Sequence, residues 1–233
     1  MTPKIISHRG VTRNEQENTL RAFQQALDDG ADGLEIDVRL SKDKKPVIFH
    51  DEDTSRLYGE KLEIKNTDYS KLSALGSTAS RIHLLEEILD FLPQNKECYI
   101  EIKSDAFTVP FLNQEKIEKK NISFLSFDRN VITALKKRFP SKKVFQNFHT
   151  LQIEKYGIKK VLEFYKNGNS DGLSLDIRDL SNKTIDKLLE TKIDLIIWTL
   201  NSMDRLRKLS KKNIRAVITD EVKDFAEFLK NRK

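Results

Sequence analysis

Leu34-Glu35-Ile36-Asp37-Val38-Arg39-Leu40 is the stretch whose reading decides the fold. Apolar residues alternate with charged ones at the period of a strand, so Glu35 and Asp37 share one side while Ile36 points to the other. Six polar residues, Ser41-Lys42-Asp43-Lys44-Lys45-Pro46, separate it from Val47-Ile48-Phe49. That connection is too short to hold a crossover helix, so the second run is the return arm of a hairpin. A turn centred between Asp43 and Lys44 would set Asp37 opposite His50.

Outward from this hairpin, short apolar runs recur at 4–7, 98–102, 123–127, 144–146, 172–175, 194–199 and 216–219. Helix-period segments lie between most of them. Thr19–Asp29 aligns Leu20, Phe23 and Leu27; Asn130–Phe139 aligns Val131, Ala134, Leu135 and Phe139; Val222–Leu229 aligns Val222, Phe225, Ala226 and Leu229. Strands alternating with helices imply a parallel sheet of βαβ units. With the hairpin arm set aside, eight units remain, and eight units in 233 residues fit a single small (β/α)8 TIM barrel over residues 1–233. An open doubly wound sheet is the other arrangement of the same units, but no G-x-G-x-x-G follows the first strand. Residues 51–81 break the rhythm. Polar, with scattered Leu57, Tyr58, Leu62, Ile64 and Leu72, they read as an insertion over one barrel rim.

Composition narrows the function classes. The charge is +6, from 42 Lys and Arg against 36 Asp and Glu. No aromatic residues interleave with the lysine pairs as a nucleic-acid stacking platform requires, and most pairs fall at predicted helix ends, where a cation complements the helix dipole. A nucleic-acid partner is not expected. No apolar run approaches the ~20 residues that cross a bilayer, and the apolar residues of the insertion never run together, so stable membrane insertion is not expected either. The lone Cys98 reads as a small core residue, and the opening Met1-Thr2-Pro3-Lys4 leads straight into strand-like sequence. The expected location is cytoplasmic.

The chemistry gathers where a parallel barrel collects it, at the C-terminal strand ends. There stand His8-Arg9-Gly10, Glu35-Ile36-Asp37, His50-Asp51 and Glu101-Ile102-Lys103. Three carboxylates converging on one mouth repel one another unless they are paired or bind a metal. An all-oxygen ligand set favours a hard divalent cation, Mg²⁺ or Ca²⁺, over Zn²⁺. His83 opens a helix pattern and His149 sits in a polar loop; neither is assigned a role.

With these motifs in place, the sequence resembles the glycerophosphodiester phosphodiesterases. The matching residues are His8-Arg9-Gly10, Glu17-Asn18-Thr19, Gly30 through Val38, Val47-Ile48-Phe49-His50-Asp51, Leu85 through Leu89, Glu101-Ile102-Lys103, Ser126-Phe127-Asp128, Trp198-Thr199-Leu200-Asn201 and Ile218-Thr219-Asp220. They run in the family's order along nearly the whole chain. The resemblance implies a distorted (β/α)8 barrel with a small insertion after His50-Asp51, and hydrolysis of a glycerophosphodiester to glycerol 3-phosphate and an alcohol. It implies Glu35, Asp37 and Glu101 as metal ligands, and His8 and His50 as the acid–base pair. Arg9 and Lys103 would hold the phosphate, with Glu17 and Asn18 orienting them. Gln16, His83 and Val222 stand where the family usually has proline, and the glycine usual before the last strand is absent. These departures touch turns and leave the ligands intact.

Trp198, the only tryptophan, has two open roles, a wall for the glycerol or alcohol moiety, or core packing. Two other functions fit the same motifs. One is a lysophospholipase D-like barrel phosphodiesterase; the other is a non-catalytic barrel that binds phosphorylated ligands. Two proton-transfer groups beside a metal cluster argue against the second.

Overall fold

The computed structural model describes residues 2–178 and 180–231. Nine strands are found among them: β1 (Lys4–His8), β2 (Gly33–Leu40), β3 (Pro46–Ile48), β4 (Glu97–Ile102), β5 (Asn121–Ser126), β6 (Lys143–Phe148), β7 (Gly172–Asp176), β8 (Asp194–Trp198) and β9 (Ala216–Thr219). All but β3 are parallel neighbours, and β1 pairs with both β9 and β2, which closes eight strands into the expected (β/α)8 barrel. β3 pairs antiparallel with β2, outside the ring.

Strand periodicity sorts the core into two shells. Leu34, Ile36 and Val38 face outward and pack with helix residues such as Phe23, Val131 and Phe225. Ile6, Tyr99, Leu125, Phe145, Ile196 and Ile218 fill the barrel interior, as layered side chains do in this architecture. The helices begin at polar caps. Thr19 accepts from the Ala22 amide at the start of Leu20–Asp28, and Asp128 accepts from the Asn130 amide at the start of Arg129–Arg138. Each satisfies one of the amides a helix start leaves without a partner. Cys98 is fully buried in the outer shell. Among the described residues no helix is long and apolar enough to cross a membrane.

The hairpin departs from the expected register. Val38 lies opposite Ile48, and the Phe49 amide donates to the Asp37 carbonyl at 3.0 Å. Asp37 therefore faces Phe49, not His50. The turn closes one residue earlier than expected because the Ser41 carbonyl accepts from the Lys44 amide and the Ser41 hydroxyl from the Lys45 amide, while Lys44 takes a positive φ of 63°. His50 is carried past the end of the return strand and onto the barrel mouth.

Residues 51–81 form short helical turns, Ser55–Tyr58, Ile64–Asn66 and Tyr69–Leu72. Their scattered apolar residues build a minor core, in which Ile64 and Leu72 pack with Val47 and Phe49 of the hairpin and with Ile82. The segment reaches the mouth through Tyr58 and Arg56. The Tyr58 hydroxyl accepts from Gln16, and Arg56 donates to Glu17.

Candidate active site

Register brings the acids together. In the parallel ladders His8 sits beside Glu35 and Asp37 beside Glu101. Adjacent strands lie only ~4.8 Å apart, so inward acids on β2 and β4 cannot avoid one another. One ligand oxygen from each of Glu35, Asp37 and Glu101 lies within 4.8 Å of the other two, and all three residues are buried.

Two cations flank the cluster. Arg9 Nε lies 3.0 Å from Asp37 Oδ2, and Lys103 Nζ lies 2.9 Å from Glu101 Oε1 and 3.7 Å from Asp37 Oδ1. Arg9 reaches inward because the chain turns sharply after β1, with φ of 58° at Arg9 and 87° at Gly10. A Cβ at position 10 would come within 2.7 Å of the Ala22 backbone, so only glycine fits this turn. Asn18 Nδ2 donates to Asp37 Oδ2 at 3.0 Å and fixes that carboxylate.

The surroundings push the acids apart in acidity. Burial, reinforced by the Asp37 and Glu101 charges, raises Glu35 well above the usual carboxyl range. Burial also opposes ionisation of Asp37, but Arg9 and Lys103 outweigh it and hold Asp37 low. Glu101 is raised, its burial only partly offset by Lys103. Glu35 Oε2 and Asp37 Oδ1 are buried with no hydrogen-bond partner. A carboxylate oxygen left so costs free energy unless something positive reaches it. This oxygen-only donor set fits a hard divalent cation.

An imidazole stands on either side. His8 Nδ1 is 2.9 Å from Asp220 Oδ1, and His50 Nδ1 is 2.6 Å from Asp51 Oδ1. A carboxylate only accepts, so Nδ1 carries the hydrogen in each ring and Nε2 is left for proton exchange. Each carboxylate is itself held. Asn201 Nδ2 donates to Asp220 Oδ2 at 2.7 Å, and Arg56 Nε donates to Asp51 Oδ2 at 2.5 Å. Arg56 also donates to both oxygens of Glu17, which accepts from Arg9 at 3.3 Å. The insertion is thereby wired to both Arg9 and an imidazole. Burial, with the Lys103 and Arg9 charges, lowers the His50 pKa against the opposing pull of Asp37 and Asp51.

These groups line one side of a cavity of about 260 Å³. The opposite side comes from β5–β9. Phe127 and His149 stack at 4.4 Å, and both meet Trp198 at steep angles, with centroids 6.0 and 5.4 Å away. Trp198 lines the cavity and also packs on the interior cluster.

All ten residues singled out from sequence gather at this end of the barrel, with Glu17 and Asn18 behind the first line. Sequence reading left out Asp51 and Asp220 as imidazole partners, and also Arg56, Asn147 and His149. Asp220 could have been found, because it follows the last strand as His8 ends the first, and closure makes those strands neighbours. No pattern marks Asn147 or His149.

The comparisons with known proteins agree with this geometry. The family model described as the glycerophosphoryl diester phosphodiesterase family matches residues 8–224. The chain is 34% identical over 141 residues to a Bacillus altitudinis glycerophosphodiester phosphodiesterase, a match covering 56% of this chain and 57% of that protein. The crystal structure of a Thermotoga maritima glycerophosphodiester phosphodiesterase superposes with a TM-score of 0.83 at 32% identity, covering 98% of this chain and 99% of that one. An Oleispira antarctica phosphodiesterase in complex with the product sn-glycerol-3-phosphate shares the fold, with a TM-score of 0.85 at 22% identity over 98% and 97% of the two chains. The chain belongs to the glycerophosphoryl diester phosphodiesterase family and is an enzyme of that family.

Proposed function

We propose that this chain, as one catalytic barrel over residues 1–233 with its insertion at about 51–81, hydrolyses glycerophosphodiesters to glycerol 3-phosphate and an alcohol. Glu35, Asp37 and Glu101 hold a divalent cation, Mg²⁺ or Ca²⁺, and His8 and His50 form the acid–base pair. The observation that carries this reading is the buried acid cluster, with two oxygens that accept no hydrogen bond, between two imidazoles that each rest on a carboxylate. The product complex of the Oleispira antarctica relative supports the substrate class.

Charge counting favours the same reading. Three carboxylates against Arg9 and Lys103 leave one net negative charge. A divalent cation turns that into one positive charge, which matches the single negative charge of a phosphodiester. When bound, the cation supplies Lewis-acid stabilisation of charge on the phosphoryl oxygens. Arg9 and Lys103 bind and orient the phosphate. One imidazole Nε2 takes the proton of the attacking hydroxyl, which belongs to water or to the neighbouring glycerol carbon. The other gives a proton to the oxygen of the departing alcohol, and each transfer contributes roughly 10²–10⁴-fold. Attack by the glycerol hydroxyl produces a cyclic phosphate that water then opens.

A coupled assay for glycerol 3-phosphate tests the proposal. With glycerophosphodiesters as substrates, we expect turnover with Mg²⁺ or Ca²⁺ and none in chelator. Equal turnover in chelator, or none with any divalent cation, overturns it.

A further inference from the structure

The side of the cavity facing the acids holds polar groups that no contact uses. Asn147 on β6 is 2% exposed, and its Oδ1 is buried without a hydrogen-bond partner. Trp198 Nε1, on β8, is likewise buried and unpartnered, and both residues line the cavity. Buried polar groups left unsatisfied cost about 1–3 kcal/mol each. Two on one wall of the cavity, neither used by the acid–base machinery, mark a place prepared for a ligand.

The chemistry of that ligand follows from what is on offer. The carboxamide of Asn147 both donates and accepts, and the indole N–H donates. An alcohol hydroxyl complements the pair, accepting from one and donating to the other. A quaternary ammonium can do neither. It would need ring faces turned to a common centre, but Phe127, His149 and Trp198 are packed on one another. The carboxylates at these strand ends are already held: Asp176 by Arg178 at 3.0 and 2.8 Å, 3.5 Å from His149, and Asp128 by the Asn130 amide.

The attacking group and the leaving oxygen each lie beside an imidazole in the phosphodiesterase reading, and the subsite takes the remainder of the departing alcohol, over β5–β8.

Resting on the phosphodiesterase reading, we propose that Asn147 and Trp198 form a subsite for a neutral polyhydroxyl leaving group, making glycerophosphoglycerol a better substrate than glycerophosphocholine. A site built to hydrogen-bond a hydroxyl discriminates strongly against ligands lacking one. The test measures kcat/KM on both diesters for wild type, Asn147→Leu and Trp198→Phe, with thermal melts to confirm folding. Wild type should favour glycerophosphoglycerol by at least about tenfold, and each variant should bring the ratio towards one. A wild-type ratio at or below one, or a ratio unmoved by both substitutions, overturns the subsite. Calorimetric binding of the two diesters in chelator gives the same comparison without turnover. Failure of the catalytic reading, with neither diester cleaved, is thereby told apart from failure of the subsite, with both bound equally.

Discussion

The mouth of this barrel has two unlike halves built on one frame. The inward positions of β1, β2 and β4 end in His8, Glu35, Asp37 and Glu101, while those of β5–β8 end in Leu125, Asn147, Asp176 and Trp198. Strand spacing and burial are alike on both sides, so the backbone does not make the difference. The charged half survives burial because opposite charges are stacked against it, Arg9 and Lys103 from the chain and a divalent cation in our reading. The other half pairs its one inward carboxylate, Asp176, with Arg178 and keeps uncharged polar atoms unspent. In our reading, chemistry is confined to one side and recognition falls to the other.

That division can be broken from the charged side first. Glu35→Ala should lower turnover by at least about 10³-fold and remove divalent-cation binding seen by calorimetry, with the circular dichroism spectrum unchanged. A variant keeping full rate removes Glu35 from the ligand set. His50→Ala should cost at least about 10²-fold in kcat with cation affinity nearly unchanged. A combined loss of both would make His50 a ligand instead of a proton carrier. Arg56→Ala cuts the link from the insertion to Glu17 and Asp51; exposed charge pairs contribute modestly, so about three- to tenfold in kcat/KM and under about 1 kcal/mol in stability are expected. An effect as large as that of His50→Ala would place the insertion inside the reacting groups.

The smallest effect concerns an imidazole away from the mouth. His83 is buried with neither ring nitrogen hydrogen-bonded, and Glu87 is 3.7 Å away. Burial, with Arg81 nearby, lowers its pKa when folded. The unfolded chain then binds the proton more readily, so this stability is complete above an unfolded pKa of about 6.5 and is lost as pH falls below it. His83→Phe should lessen the drop in Tm between pH 7 and 5 by about 2–4 °C, the equivalent of roughly 1 kcal/mol at this chain length. Identical drops in the two proteins would show that His83 binds its proton equally well in the folded and unfolded chain.

Much of this was legible because strands announce themselves by period and function by strand ends. All nine strand runs formed, and the H-R-G, E-x-D and E-x-K endings fell on neighbouring strands as a closed parallel sheet requires. The hairpin register was not legible, since a turn closed through the Ser41 carbonyl with Lys44 at positive φ leaves no period to count. The partners Asp51 and Asp220 depend on closure and on the loop path beyond His50. Asn147 looked like any polar residue in a short strand. Its meaning comes from having no partner, which only packing reveals.

The central claim is that the three acids hold one cation between the two imidazoles. Crystals grown with Mn²⁺ as an anomalous stand-in would locate it directly. The account predicts one peak bonded to Glu35, Asp37 and Glu101, flanked by the Nε2 atoms of His8 and His50. Anomalous density absent from that cluster at saturating Mn²⁺, or bound at some other group of residues, would contradict it.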